Sequence, residues 1–79
     1  MKNQINILRK QIDEIDNKIV ILLAKRMKIV TNIGLLKKKQ NILIFDLVRW
    51  KKVIESKKGY IKKIWEIIHK EALEIEKSI

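Results

Sequence analysis

Cysteine and proline are both absent from this 79-residue chain, and glycine occurs only at Gly34 and Gly59. Without cysteine there is no disulfide to staple a small fold. A lone His69 with no cysteine beside it argues against a structural metal site. So little glycine and no proline suit long helices better than a protein of tight β-turns. No apolar run reaches the roughly 18 residues that a membrane span needs. The opening MKNQINILRK has no apolar signal-peptide core, which makes a cytoplasmic protein the simplest expectation. One domain, 1–79, is all this length can hold, and its core is thin. With disulfide and metal set aside, oligomerisation is the remaining source of stability.

Acidic residues are also scarce: 19 Lys and Arg face 9 Asp and Glu, for a net charge of +10. That balance raises the question of nucleic acid. The lysines are spread along the whole chain, and Lys, Ile and Asn are all abundant, so compositional bias is the preferred reading. Sixteen of the basic residues are Lys; the three arginines are Arg9, Arg26 and Arg49. In so Lys-rich a chain an arginine marks a place where a planar fork is useful. Such a fork grips a carboxylate bidentately, which an ammonium cannot do.

What is present is helical periodicity. Ile5, Leu8, Ile12, Ile15, Ile19, Leu22, Val30 and Ile33 form one stripe, predicting a first helix over about 3–39. At about 1.5 Å per residue it exceeds about 50 Å, longer than a monomer this small can cover. A partner chain is expected on it. Gln40 to Ile44 read as a loop. A second helix follows over about 45–57, with Asp46 as N-cap or first-turn residue. Ser56 to Gly59 read as a turn, with Gly59 as terminator. The third helix spans about 60–78, with a stripe of Ile61, Ile64, Trp65, Ile68, Ala72, Ile75 and Ile79. The expected class is all-α: one long and two shorter helices per chain, in an intertwined homodimer.

Polar residues on these stripes carry the functional signal. Arg26 continues the first stripe past Leu22, and Lys37 follows eleven residues later, nearly in phase. Glu76 lies one turn after Ala72. Any one of them alone reads as a side chain snorkelling from the stripe's edge. Together, with three sparse arginines, they read as an anion site, because unpaired buried charge is costly. Arg9 and Arg26 are seventeen residues apart, about 25 Å along one helix. If both serve one small ligand, Arg9 comes from the partner; otherwise Arg9 is a surface residue pairing with Asp13. There is no Gly-rich phosphate loop and no Ser/His/Asp or Cys/His set. His69 reads as a partly buried structural histidine, and Trp50 and Trp65 as core or interface anchors. Binding and positioning are the chemistry left.

Leu8-Arg9-Lys10-Gln11-Ile12-Asp13-Glu14-Ile15-Asp16, Leu22-Leu23-Ala24-Lys25-Arg26 and Gly34-Leu35-Leu36-Lys37 resemble the first helix of AroQ-class chorismate mutases. Asp46-Leu47-Val48-Arg49-Trp50 with Val53-Ile54-Glu55-Ser56 resembles the start of their second helix, and Trp65 to Ala72 their third. The resemblance covers nearly the whole chain, in order. It implies a dimer with two active sites, rearranging chorismate to prephenate without metal or cofactor, in the shikimate-pathway branch leading to phenylalanine and tyrosine. It implies that Arg26 and Arg9 of the partner subunit hold the substrate carboxylates. Lys37 would contact a carboxylate and the ether oxygen, Asp46 would sit near the ring hydroxyl, and Arg49 would support the cluster. Three departures stand out: Ala72 where a serine is usual, Glu76 at the catalytic position where a glutamine usually hydrogen-bonds the ether oxygen, and a shortened segment between Ser56 and Trp65. Isochorismate-pyruvate lyases and aminodeoxychorismate mutases of the same fold share the carboxylate clamp. A basic helical dimer binding nucleic acid or a partner helix is the alternative of a different class.

Overall fold

A computed structural model describes the chain from Lys2 onward; Met1, part of the expected 1–79 domain, lies outside the described residues. It is all-α, with α1 (Lys2–Gln40), α2 (Leu47–Glu55) and α3 (Tyr60–Lys77), and no strand among the described residues. The 39 residues of α1 set the 58 Å length of a molecule only 23 by 14 Å across. Its radius of gyration is 16.7 Å, against about 12 Å for a compact chain of this size.

Local chemistry places each boundary. After Gln40, Asn41 adopts a left-handed φ of 59°. The Ile42 amide donates to the Lys37 carbonyl at 2.8 Å, and the Asn41 amide to that of Lys38 at 3.4 Å. This is a Schellman closure, in which asparagine tolerates the left-handed position better than most side chains. α2 begins later than the expected residue 45 because Asp46 is its cap: Oδ1 accepts from the Arg49 amide at 3.0 Å. α2 ends at Glu55, capped by Ser56. Gly59, expected as a terminator of the second helix, instead precedes α3 as its cap residue, with φ +60° and ψ −137°. That backbone conformation is open to glycine and strained for other residues.

α3 packs against both α1 and α2, whereas α1 and α2 do not pack on each other. Gly34 faces Glu76 and Ile79, so the C-terminal halves of α1 and α3 run side by side in the same direction. A Cβ on Gly34 would stand 2.7 Å from Ile79 Cδ1, 3.2 Å from Glu76 Cγ and 3.4 Å from Glu76 Cα, so the missing side chain is what allows this approach. The core is thin: Val30 and Ile68 are its only buried large apolar residues among those described. No side chain from Asn3 to Leu22 is even half-buried, and the stripe from Ile5 to Leu22 stays 48 to 63% exposed. α3 is too short to reach along it.

Candidate active site

Where α1 and α2 fail to meet, a cavity of about 280 Å³ opens between all three helices. α1 contributes Arg26, Val30, Ile33 and Lys37. Ile44 and Asp46 come from the loop, with Arg49, Trp50 and Val53 from α2. α3 contributes His69, Ala72, Leu73 and Glu76. The spacing explains the gathering: 26, 30, 33 and 37 lie on one face of α1, and 69, 72, 73 and 76 on one face of α3. Of the residues singled out from sequence, Arg26, Lys37, Asp46, Arg49, Ala72 and Glu76 all line this space. Arg9 lies on the uncovered half of α1, outside it, and forms no ion pair with Asp13 among the described residues.

The polar groups are held by one another. Lys37 Nζ donates to the Ile44 carbonyl at 2.6 Å and to Glu76 Oε1 at 3.3 Å. The Schellman turn brings the Ile44 carbonyl back over the end of α1, so the ammonium is fixed by the chain reversal and by α3 together. Glu76 is 8% exposed and Lys37 19%, so the pair is mostly withdrawn from water. Glu76 therefore points inward rather than out toward a surface lysine. An ammonium has three donors, and two are used here, which leaves the third free.

Arg26 is different. Its Nη1 is shut off from solvent and has no hydrogen-bond partner. A buried donor left unmade costs about 1–3 kcal/mol, and guanidinium nitrogens are rarely abandoned in this way. Neither Arg26 nor Arg49 has an acidic partner within 4.0 Å among the described residues. The Asp46 oxygen that caps α2 is engaged with backbone. The cavity thus carries uncompensated positive charge on two planar forks, beside an ammonium with one donor to spare. It is built to take a small anion, and carboxylates match the forks best.

His69 and Trp50 complete the wall, and neither was singled out as a site residue from sequence. The imidazole stacks on the Trp50 indole, centroids 3.8 Å and planes 14° apart, so Trp50 is a half-buried cavity wall rather than a core anchor. Burial first, and the Arg26 charge second, hold His69 below its ordinary pKa of 6.5, while Glu76 opposes them. A signal for His69 existed in the sequence: it lies three and seven residues before Ala72 and Glu76, on one helical face. Trp65 lies apart from the cavity, with Lys57 Nζ 4.5 Å over its ring. No group of three or more His, Asp or Glu that could hold a metal ion occurs among the described residues. No described helix is long and apolar enough to cross a membrane.

Residues 8–77 match the family model described as chorismate mutase type II. Among solved structures, the chain is similar to a conserved hypothetical protein from Pyrococcus furiosus, at 37% identity and a TM-score of 0.87. That similarity covers 92% of this chain and 95% of the other. No functionally curated protein matches.

Proposed function

This chain belongs to the type II chorismate mutase family, and from that premise we propose that it rearranges chorismate to prephenate as a homodimer, with 1–79 as one domain. The observation that carries the proposal is the buried, unpartnered Arg26 Nη1 in a cation-lined cavity. A substrate carboxylate on Arg26 supplies the missing acceptor. Arg9 of the partner subunit, on the exposed stripe's helix, supplies the second fork that one chain cannot bring to the same site. In this reading the uncovered half of α1 is the dimer interface, and the two long helices intertwine there.

A pericyclic rearrangement forms one carbon–carbon bond as the ether carbon–oxygen bond breaks, with no nucleophile or base. What limits it is holding the flexible enolpyruvyl arm over the ring, and binding it in a near-attack conformer removes that part of the barrier. Arg26 and Arg9 clamp the two carboxylates and thereby set the conformer. Lys37 is aimed by Ile44 and Glu76, and its free donor meets the ether oxygen as negative charge grows there. Arg49 adds to the positive field, Asp46 receives the ring hydroxyl, and the apolar Ala72 leaves the ring end without a hydroxyl donor. In this role the enzyme serves phenylalanine and tyrosine synthesis in the cytoplasm.

Following loss of chorismate absorbance, with product identification, tests the reading. Prephenate as product supports it. Pyruvate release from isochorismate, or turnover of aminodeoxychorismate in place of chorismate, assigns the clamp to a sister reaction. No turnover together with tight, salt-dependent DNA binding replaces the enzyme by a basic helical dimer. The shared site has its own test. Arg9→Ala and Arg26→Ala proteins, each inactive, regain activity when mixed after subunit exchange, because every mixed dimer holds one intact pair. No recovery despite proven exchange refutes a site built by two chains.

A further inference from the structure

One wall of the cavity offers a donor whose charge is not fixed. His69 lies flat on Trp50, and Phe45 closes on it from the loop at 5.8 Å, tilted by 59°. Stacking fixes the ring plane, and with it the directions in which the ring nitrogens point. Among the described residues neither nitrogen makes a hydrogen bond or ion pair with the protein. The imidazole is thus positioned, unpartnered and in the wall of an anion-attracting cavity.

His69 is the one histidine of the chain, and so the one side chain of the wall that ordinarily changes charge near neutral pH. The charged groups lining the space around it are Arg26 and Lys37 on α1, Asp46 and Arg49 at the start of α2, and Glu76 on α3. Of these, Arg26 is the one whose charge most disfavours the imidazolium, after burial itself. A dianion seated on Arg26 reverses that balance, turning a repulsive neighbourhood into an attractive one.

We infer that His69 is a further ligand-binding residue: it takes up one proton as the dicarboxylate enters and donates a charge-assisted hydrogen bond to it. The inference rests on the mutase reading only for the identity of that dicarboxylate. Two opposite pH dependences follow. In the free protein the folded state holds its proton less tightly than the unfolded chain. Stability is therefore fully present above pH 6.5 and declines as pH falls from there through the folded value. Ligand affinity runs the other way. It rises as pH falls, by up to about tenfold per pH unit, wherever the free ring is neutral and the bound ring protonated.

A single histidine gives a single imidazole resonance, so proton NMR reads this directly. The signal is titrated over about pH 5 to 8 in the free protein, with saturating prephenate, and with tartrate as a simple dicarboxylate. The free midpoint lies below 6.5, and either bound dianion raises it by about one pH unit or more. His69→Phe keeps a flat ring on Trp50 but cannot take a proton. Its affinity for either dianion loses the pH dependence over this range. A midpoint unmoved by a ligand seen to bind overturns the inference, as does a His69→Phe protein that keeps the dependence. Failure to bind either dianion also overturns it. Tartrate raising the midpoint while prephenate does not bind leaves the inference standing and removes the mutase reading instead.

Discussion

In the proposed mechanism, Glu76→Gln tests the residue that stands beside Lys37 at the breaking bond. A carboxylate and an ether oxygen are both acceptors, so they cannot hydrogen-bond without a proton between them. Glu76 spends Oε1 on Lys37 at 3.3 Å and lies 8% exposed against the cavity. A glutamine fits the same volume. Its carbonyl accepts from Lys37 as before, and its amide donates into the cavity at any ordinary pH. The stability cost is modest, since Lys37 keeps the Ile44 carbonyl at 2.6 Å and a neutral acceptor at position 76. About 1 kcal/mol is the expected loss, the scale of one net hydrogen bond, or about 4–8 °C in Tm for a domain of this size. The catalytic gain is larger. One added donor to developing negative charge contributes about 1.5–3 kcal/mol, and each 1.36 kcal/mol is about tenfold in rate. An ionised carboxylate at this position has no proton to donate to the ether oxygen, whereas the glutamine amide donates without one. The glutamine variant exceeds the parent protein near neutral pH, and the pH dependence that His69 imparts on binding remains in both. Measuring kcat/KM against pH for both proteins decides the matter, because that ratio reports on free enzyme and substrate. Superimposable profiles refute the role.

Arg26→Lys keeps the charge but loses the fork, and kcat/KM falls by about tenfold to a hundredfold, the value of about 1.5–3 kcal/mol for a charged hydrogen bond; unchanged kinetics removes Arg26 from the site. Gly34→Ala gains about 1 kcal/mol of helix propensity but crowds Ile79, whose tip can swing away, and Glu76, whose Cγ at 3.2 Å cannot move without shifting the Lys37 pair and whose Cα at 3.4 Å is backbone. Overpacking of about 1–3 kcal/mol offsets or exceeds the gain, so thermal melts show equal or lower Tm together with reduced kcat; a higher Tm with full activity contradicts the close approach. Ile12→Glu places a charge in the middle of the exposed stripe and converts the proposed dimer to a poorly folded monomer in sedimentation and circular dichroism; a variant that stays dimeric shifts the interface elsewhere.

The sequence by itself determined the helices and the faces they present. Periodicity requires only side-chain spacing, and caps only a residue or two, which is why Asp46 could be read as the start of α2 before its Oδ1 was seen to accept from the Arg49 amide. Arg26, Lys37 and Glu76 were legible for the same reason, as charges interrupting apolar stripes. Arg9 was legible as a residue too distant from Arg26 to share its ligand within one chain. Tertiary structure decided what no local rule encodes. Gly34 is, in sequence, only the one glycine of a long helix, yet it is where α3 comes within contact of α1. Gly59 caps α3 rather than ending α2, because a turn's punctuation marks the loop and not the side of it. His69 reads as a structural histidine and Trp50 as an anchor because each alone is an ordinary aromatic residue. Only the return of α2 against α3 stacks them 3.8 Å apart and turns them into a wall of the cavity. Spacing along a helix acts through neighbours three or four residues away, whereas that stack joins side chains nineteen residues apart, and its geometry exists only once three helices have closed around a common space.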